Sequence, residues 1–203
     1  MEIIELVIDE NEEFSGIEAI SVVESPAIEE DFIALKNEDK IRLAEVSKEK
    51  RLLIGGALIP DRPIYRKNGD HEFYIYFSKE TVAKASQMFL KAGNQGQATM
   101  EHTDNKLEGM TVVESWLVED AVHDKSRKYG LDMPIGTWMV SMKVDNDDIW
   151  NNYVKKNKIK GFSIEGYFID RLSERPKDKQ TDKLSQEDKL LNEIIDVLKE
   201  SNT

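Results

Sequence analysis

Lys160-Gly161-Phe162-Ser163-Ile164-Glu165-Gly166-Tyr167-Phe168 is the stretch on which the reading of this chain turns. A serine enclosed by glycines at the start of an apolar run suits a nucleophile, and the spacing around it tests which fold carries it. Gly161-x-Ser163-x-x-Gly166 is one residue longer than the G-x-S-x-G of a nucleophile elbow. Tyr167-Phe168-Ile169 then continue as a strand, where the elbow requires a helix. An α/β-hydrolase is therefore disfavoured. The serine is expected inside a strand, residues 162–169, entered directly from the exit of a helix.

Upstream, the same alternation recurs. Residues 136–144 read as a strand with Trp138, Val140, Met142 and Val144 on one face, and residues 111–118 read as another. Asp145-Asn146-Asp147-Asp148 is rich in capping residues, and Ile149, Trp150, Tyr153 and Val154 give the short helix after it a core-facing side. The continuous apolar run 52–59, stopped by Pro60-Asp61-Arg62-Pro63, has the length and composition of a central strand covered on both faces. Asn68-Gly69 marks a turn, and Phe73, Ile75 and Phe77 alternate with Tyr74 and Tyr76 as a strand. Ser78 caps the next helix, whose apolar stripe Val82, Ala85, Met88 and Phe89 runs up to Gly93. Residues 2–8 and 17–23 are short strands separated by an acidic turn; Ser25-Pro26 ends the second, because proline cannot donate to a ladder.

After Arg171 the composition becomes too polar to fold by burial, so 171–184 reads as a flexible linker behind a domain spanning 1–170. Ser185 then caps an amphipathic helix over 185–203, with Leu190, Leu191, Ile194, Ile195, Val197 and Leu198 at helical spacing. Such a helix must dock on its own domain or on a partner.

Composition excludes several chemistries. There is no cysteine among the 203 residues, which removes disulfides, thiolate catalysis and cysteine-ligated zinc. Residues 1–50 carry 15 acids against 5 bases and the rest of the chain is nearly balanced, so no basic stripe exists for nucleic acid to follow. No apolar run is long enough to span a membrane, and Met1-Glu2 lacks the basic flank of a signal peptide. The expected setting is the cytoplasm. Glu101, His102 and Asp104 offer metal-type ligands, but no second histidine completes a site, and no glycine-rich phosphate loop is present. Neither metal nor cofactor is expected.

A serine is unreactive until a base takes its proton, and the chain has three histidines to offer: His71, His102 and His123. His71 follows a hairpin turn and His123 lies in a polar loop, which makes both surface residues. His102 stands at a junction between the 93–96 loop and a strand, after the apolar Ala98-Thr99-Met100. For a third member, Glu114 lies on the strand after His102, and Glu165 shares a face with Ser163 by period two. Residue patterning leaves both open.

The order His102, Val112-Val113-Glu114-Ser115-Trp116, then Gly136 to Val144, then Lys160 to Gly166 resembles the tailed-phage prohead, or head maturation, serine proteases of the prophage type. The likeness covers roughly residues 1–170 and is most specific between Gly136 and Gly166. What it implies is an α+β fold, a small β-barrel flanked by helices and similar to herpesvirus assemblin. It places Ser163 at the nucleophile, His102 at the base and Glu114 as the third member. Glu165 departs from the small residue common in other branches; it could replace Glu114 as the orienting carboxylate or shape the substrate pocket.

The resemblance implies an endopeptidase that cleaves the phage scaffold, the major capsid protein and itself, in the host cytoplasm within the assembling procapsid. Whether it works as a homodimer stays open; neither nucleic acid nor membrane is an expected partner. The alternative is a non-catalytic capsid-assembly module that docks on scaffold through its C-terminal helix.

Overall fold

The alternation in the sequence becomes hydrogen-bonded sheet in a computed structural model, which describes residues 2–8, 15–27, 50–103 and 105–170, and the backbone of 33–35. In chain order the strands are β1 (Glu2–Val7), β2 (Gly16–Val23), β3 (Ile33–Leu35), β4 (Leu52–Leu58), β5 (Ile64–Asn68) and β6 (His71–Tyr76). Helix α1 (Lys79–Lys91) follows, then β7 (Ala98–Met100), β8 (Met110–Leu117), a short α2 (Lys125–Lys128) and β9 (Trp138–Val144). A π-type helix, Ile149–Val154, leads to β10 (Gly161–Tyr167) and β11 (Ile169–Asp170). The fold is α+β, mostly sheet with few helices.

The strands form three open sheets ordered β11-β1-β6-β5, β10-β2-β7 and β3-β4-β9-β8. The expected barrel does not close among the described residues. One reason is local: β7 is three residues long and ends in a left-handed turn at Glu101 and His102, so it cannot carry the ladder further.

Strands β4 and β9 pair antiparallel at the centre, Leu53 opposite Met142 and Ile54 opposite Ser141. Alternate residues of the pair feed two cores. Leu53, Val140 and Met142 point into the main one, while Ile54 and Met139 meet Ile59, Val118, Leu131 and Met133 in a smaller one. That explains why residues 52–59 show no polar alternation: both faces are covered.

The sequence of α1 fixes its ends. The Ser78 side chain accepts from the Thr81 N–H, Glu80 sits in the first turn, and Gly93 just beyond the end takes φ +75°. Its inner face buries Val82, Ala85 and Phe89, and the Phe89 ring meets Trp138 edge-on at 5.4 Å between centroids. A side chain such as Phe89, fully buried, contributes about 1.5–3 kcal/mol. The helix expected after Asp148 is present but wound more widely: Lys155 N–H donates to Trp150 O and Lys158 N–H to Tyr153 O, five residues apart.

Strand β10 pairs with β2 and is broken by a bulge between Glu165 and Gly166. A Cβ on Gly166 would lie 2.0 Å from the carbonyl oxygen of Gly16 and 2.8 Å from the Ile17 Cα. This glycine is required by backbone approach, not by an elbow turn. The chain divides after Asp170; the linker expected over 171–184 and the helix expected over 185–203 lie outside the described residues.

Candidate active site

Three hydroxyls line up across the β10-β2-β7 sheet. Ser163 is registered opposite Ser21, and Ser21 opposite Thr99. Residues so paired share a face, and Glu165, two residues beyond Ser163, belongs to the same face. The Ser21 and Thr99 hydroxyls, with one proton each, both donate to the Glu165 carboxylate and stand in contact with each other. His102 completes the group: its Nδ1 is 3.3 Å from Glu165 Oε1.

His102 reaches this position by a strained turn. Glu101 and His102 have φ of +49° and +56°, left-handed values that cost non-glycine residues roughly 1–2 kcal/mol each. The turn is held on several sides. Glu101 N–H donates to Val22 O at 3.3 Å, Thr103 N–H to Met100 O at 3.0 Å, and the Glu101 carboxylate accepts from Glu24 N–H at 2.6 Å. His102 N–H donates to the Ser21 hydroxyl at 3.1 Å. One buried serine thus anchors the backbone of His102 and the carboxylate that meets its ring.

A carboxylate on Nδ1 favours the tautomer with its proton there, which leaves Nε2 as the acceptor. The ring is accessible, with 47% of the His102 side chain exposed against 27% for Glu165. Ser163 is nearly buried at 8%. No hydrogen bond joins Ser163 to His102 among the described residues, and in the free state of such sites this contact is often long.

Glu114 is placed elsewhere. On β8, its carboxylate accepts from the Ser141 hydroxyl and from Lys125 Nζ at 2.5 Å, and these bonds hold its pKa below the usual range, Lys125 contributing most. It belongs to the face carrying the smaller core and does not pair with His102. His71 and His123 are exposed, against Glu2 at 3.3 Å and Asp120 at 3.0 Å respectively, apart from the hydroxyl row.

Sequence patterning alone assigns no role to Ser21 or Thr99. A signal existed: each is a hydroxyl within an apolar strand, Val22 and Val23 following one, Ala98 and Met100 flanking the other. What periodicity could not reveal is that β7 runs parallel to β2 and so brings the two hydroxyls side by side.

Two cavities adjoin the row. A cleft of about 530 Å³ along β2 and the end of α1 touches it at Thr99. A smaller one, about 280 Å³, has Ser163 in its wall. The smaller is the one that chemistry at Ser163 could use. Among the described residues, no group of three or more His, Asp or Glu side chains could hold a metal ion, and no helix is long and apolar enough to cross a membrane.

Comparison with known proteins points to the class of phage serine proteases. A family model described as "Putative phage serine protease XkdF" matches residues 39–170, more than half of the chain; the match takes in Thr99, His102, Ser163 and Glu165 but not Ser21. No curated protein and no solved structure gives a significant match. The chain belongs to this phage serine protease family, and the resemblance read from its motifs is shown at that level.

Proposed function

We propose that the chain is a serine endopeptidase of phage head maturation in which Ser163 is the nucleophile, His102 the general base and Glu165 the carboxylate that orients the imidazole. The observation that carries this reading is the His102 Nδ1 to Glu165 contact of 3.3 Å on the face where Ser163 stands opposite Ser21. Glu165 takes the place the resemblance gave to Glu114, because the Glu114 charge is already met by Lys125.

In the reaction, Ser163 Oγ attacks the peptide carbonyl while His102 Nε2 takes its proton. The imidazolium gives that proton to the leaving amine as the C–N bond breaks, and water then hydrolyses the acyl-enzyme by the same route. Ser21 and Thr99 fix the Glu165 carboxylate by hydrogen bonds, so it need not be reoriented when His102 becomes charged. The substrates are the scaffold, the capsid protein and the protease itself, within the procapsid in the host cytoplasm.

Fluorophosphonate labelling tests the nucleophile directly: an adduct is expected on Ser163 and lost in Ser163→Ala, while Ser21→Ala keeps an adduct but forms it more slowly. Labelling is repeated in the assembled particle, where a latent precursor becomes active. Co-expression with scaffold and capsid protein, with intact-mass measurement, should show cleavage and truncation within 171–184 in the wild type. Unchanged cleavage by Ser163→Ala overturns the mechanism, and an absent adduct in both settings favours the assembly-module alternative.

A further inference from the structure

The cavity beside Ser163 has a floor and a rim of different chemistry. Its floor is apolar, formed by Leu6, Ala57, Ile64, Ile75, Phe77 and Phe168. Residues from both faces of β10, Ser163 and Ile164, line it, so it opens on the edge of that strand away from β2. A peptide laid along this edge would present side chains to the cavity next to the nucleophile.

The charged group in the lining is Arg66. Period two along β5 puts Arg66 on the same face as Ile64, which pairs with Ile75 on β6. Its Nη1 donates to the carbonyl of its own neighbour Tyr65 at 3.0 Å. No carboxylate pairs with it among the described residues. By contrast, Arg51 meets Asp147 and Arg127 meets Asp132. In a chain with 40 acidic against 28 basic residues, a guanidinium that lines an apolar cavity and meets no carboxylate among the described residues has the rest of its donor fork available to a ligand.

We infer that this cavity is a specificity subsite for an acidic substrate side chain next to the scissile bond, with glutamate the best fit: its methylenes lie on the apolar floor and its carboxylate meets Arg66. The inference rests on the reading of Ser163 as nucleophile and adds the class of substrate to it.

The test uses the full-length protein and quenched fluorescent peptides differing only in the residue on the acyl side of the cleaved bond: Glu, Gln, Leu or Lys. Wild type is expected to prefer Glu over Gln by about tenfold or more in kcat/KM. Arg66→Gln brings that ratio towards one, and Arg66→Glu turns the preference to Lys. Fluorophosphonate labelling of each variant at Ser163 reports that it is folded. If a variant does not fold, the wild type alone decides, through the residue enriched at its cleavage sites in a proteome-derived peptide library. Labelling at Ser163 with no acidic preference, or a preference that survives Arg66→Gln, overturns this subsite and leaves the protease reading standing. Neither labelling nor cleavage, in the free protein and in the assembled particle alike, overturns the protease reading, and the subsite with it.

Discussion

Gly166→Ala is the perturbation whose cost follows most directly from the geometry. The added Cβ would lie 2.0 Å from Gly16 O, 2.9 Å from Gly16 C and 2.8 Å from Ile17 Cα, all backbone atoms that cannot rotate away. Real Cβ contacts essentially never fall below 3.0 Å, so β10 must move off β2 by about 1 Å at its bulge. Overpacking of this kind costs about 1–3 kcal/mol, less a few tenths recovered from a stiffer unfolded chain. At about 2–4 °C per kcal/mol for a domain of this size, Tm should fall by roughly 2–10 °C. The functional loss should be larger than that. Glu165 is the neighbouring residue, and a displacement of about 1 Å between catalytic groups can cost about 100-fold in rate. Thermal denaturation and the rate of fluorophosphonate labelling measure the two effects on one preparation. Gly96→Ala is the control: nothing lies within 4 Å of its added methyl, so it should stay within about 0.5 kcal/mol of wild type. A Gly166→Ala protein with wild-type Tm and wild-type labelling would refute the argument that this glycine seats the carboxylate.

The two glutamates should separate by function. Glu165→Gln keeps an oxygen for Ser21 and Thr99 but removes the charge facing His102, so kcat should fall by about 100-fold or more; a loss under threefold would remove Glu165 from the mechanism. Glu114→Gln should leave peptide cleavage near wild type and act on stability instead. The Glu114 pKa is depressed in the folded state, so its contribution is present above the ordinary carboxylate pKa and is lost as pH falls through the folded value. Melting curves of wild type and Glu114→Gln should therefore differ at neutral pH and converge in acid. Half-exposure of the pair limits the difference to about 1 kcal/mol. Asp120 is held down to about 2, first by the backbone N–H of Val122 and then by that of His123. Its carboxyl NMR shift should titrate only near that pH, and an ordinary midpoint would show that the turn is not formed in solution.

Most of the fold could be read where burial imposes a period. The apolar run 52–59 and the face Trp138, Val140, Met142 and Val144 are strands because nothing else buries those side chains, and β4 and β9 follow them closely. Ser78 and Gly93 bracket α1 because caps act locally, through bonds the helix cannot make for itself. Short strands escaped for the complementary reason. Residues 64–68 carry one buried side chain followed by four exposed ones, so β5 leaves no alternation to find and exists through its pairing with β6. Barrel closure is likewise a property of edges, which period two does not encode.

The site divides along the same line. Ser163 and His102 stood out by residue type, since a cysteine-free chain with three histidines leaves few candidates for nucleophile and base. The third member did not, because Glu114 and Glu165 are equivalent as letters and as strand positions. What distinguishes them is long-range pairing. The parallel β2-β7 contact sets Thr99 beside Ser21, the antiparallel β2-β10 contact sets Ser163 and Glu165 on that same face, and the left-handed turn after Met100 swings His102 towards them. Glu114 meets Lys125 and Ser141 nearer at hand, 11 and 27 residues along the chain, through the β8-β9 pairing and the connection between those strands. The identity of a catalytic carboxylate is thus decided by which cation or imidazole the topology delivers to it. That is why the strain at Glu101 and His102 is informative: a chain that holds two non-glycine residues in the left-handed region, with bonds from Val22, Ser21 and Glu24 around them, spends stability to keep one ring in one place.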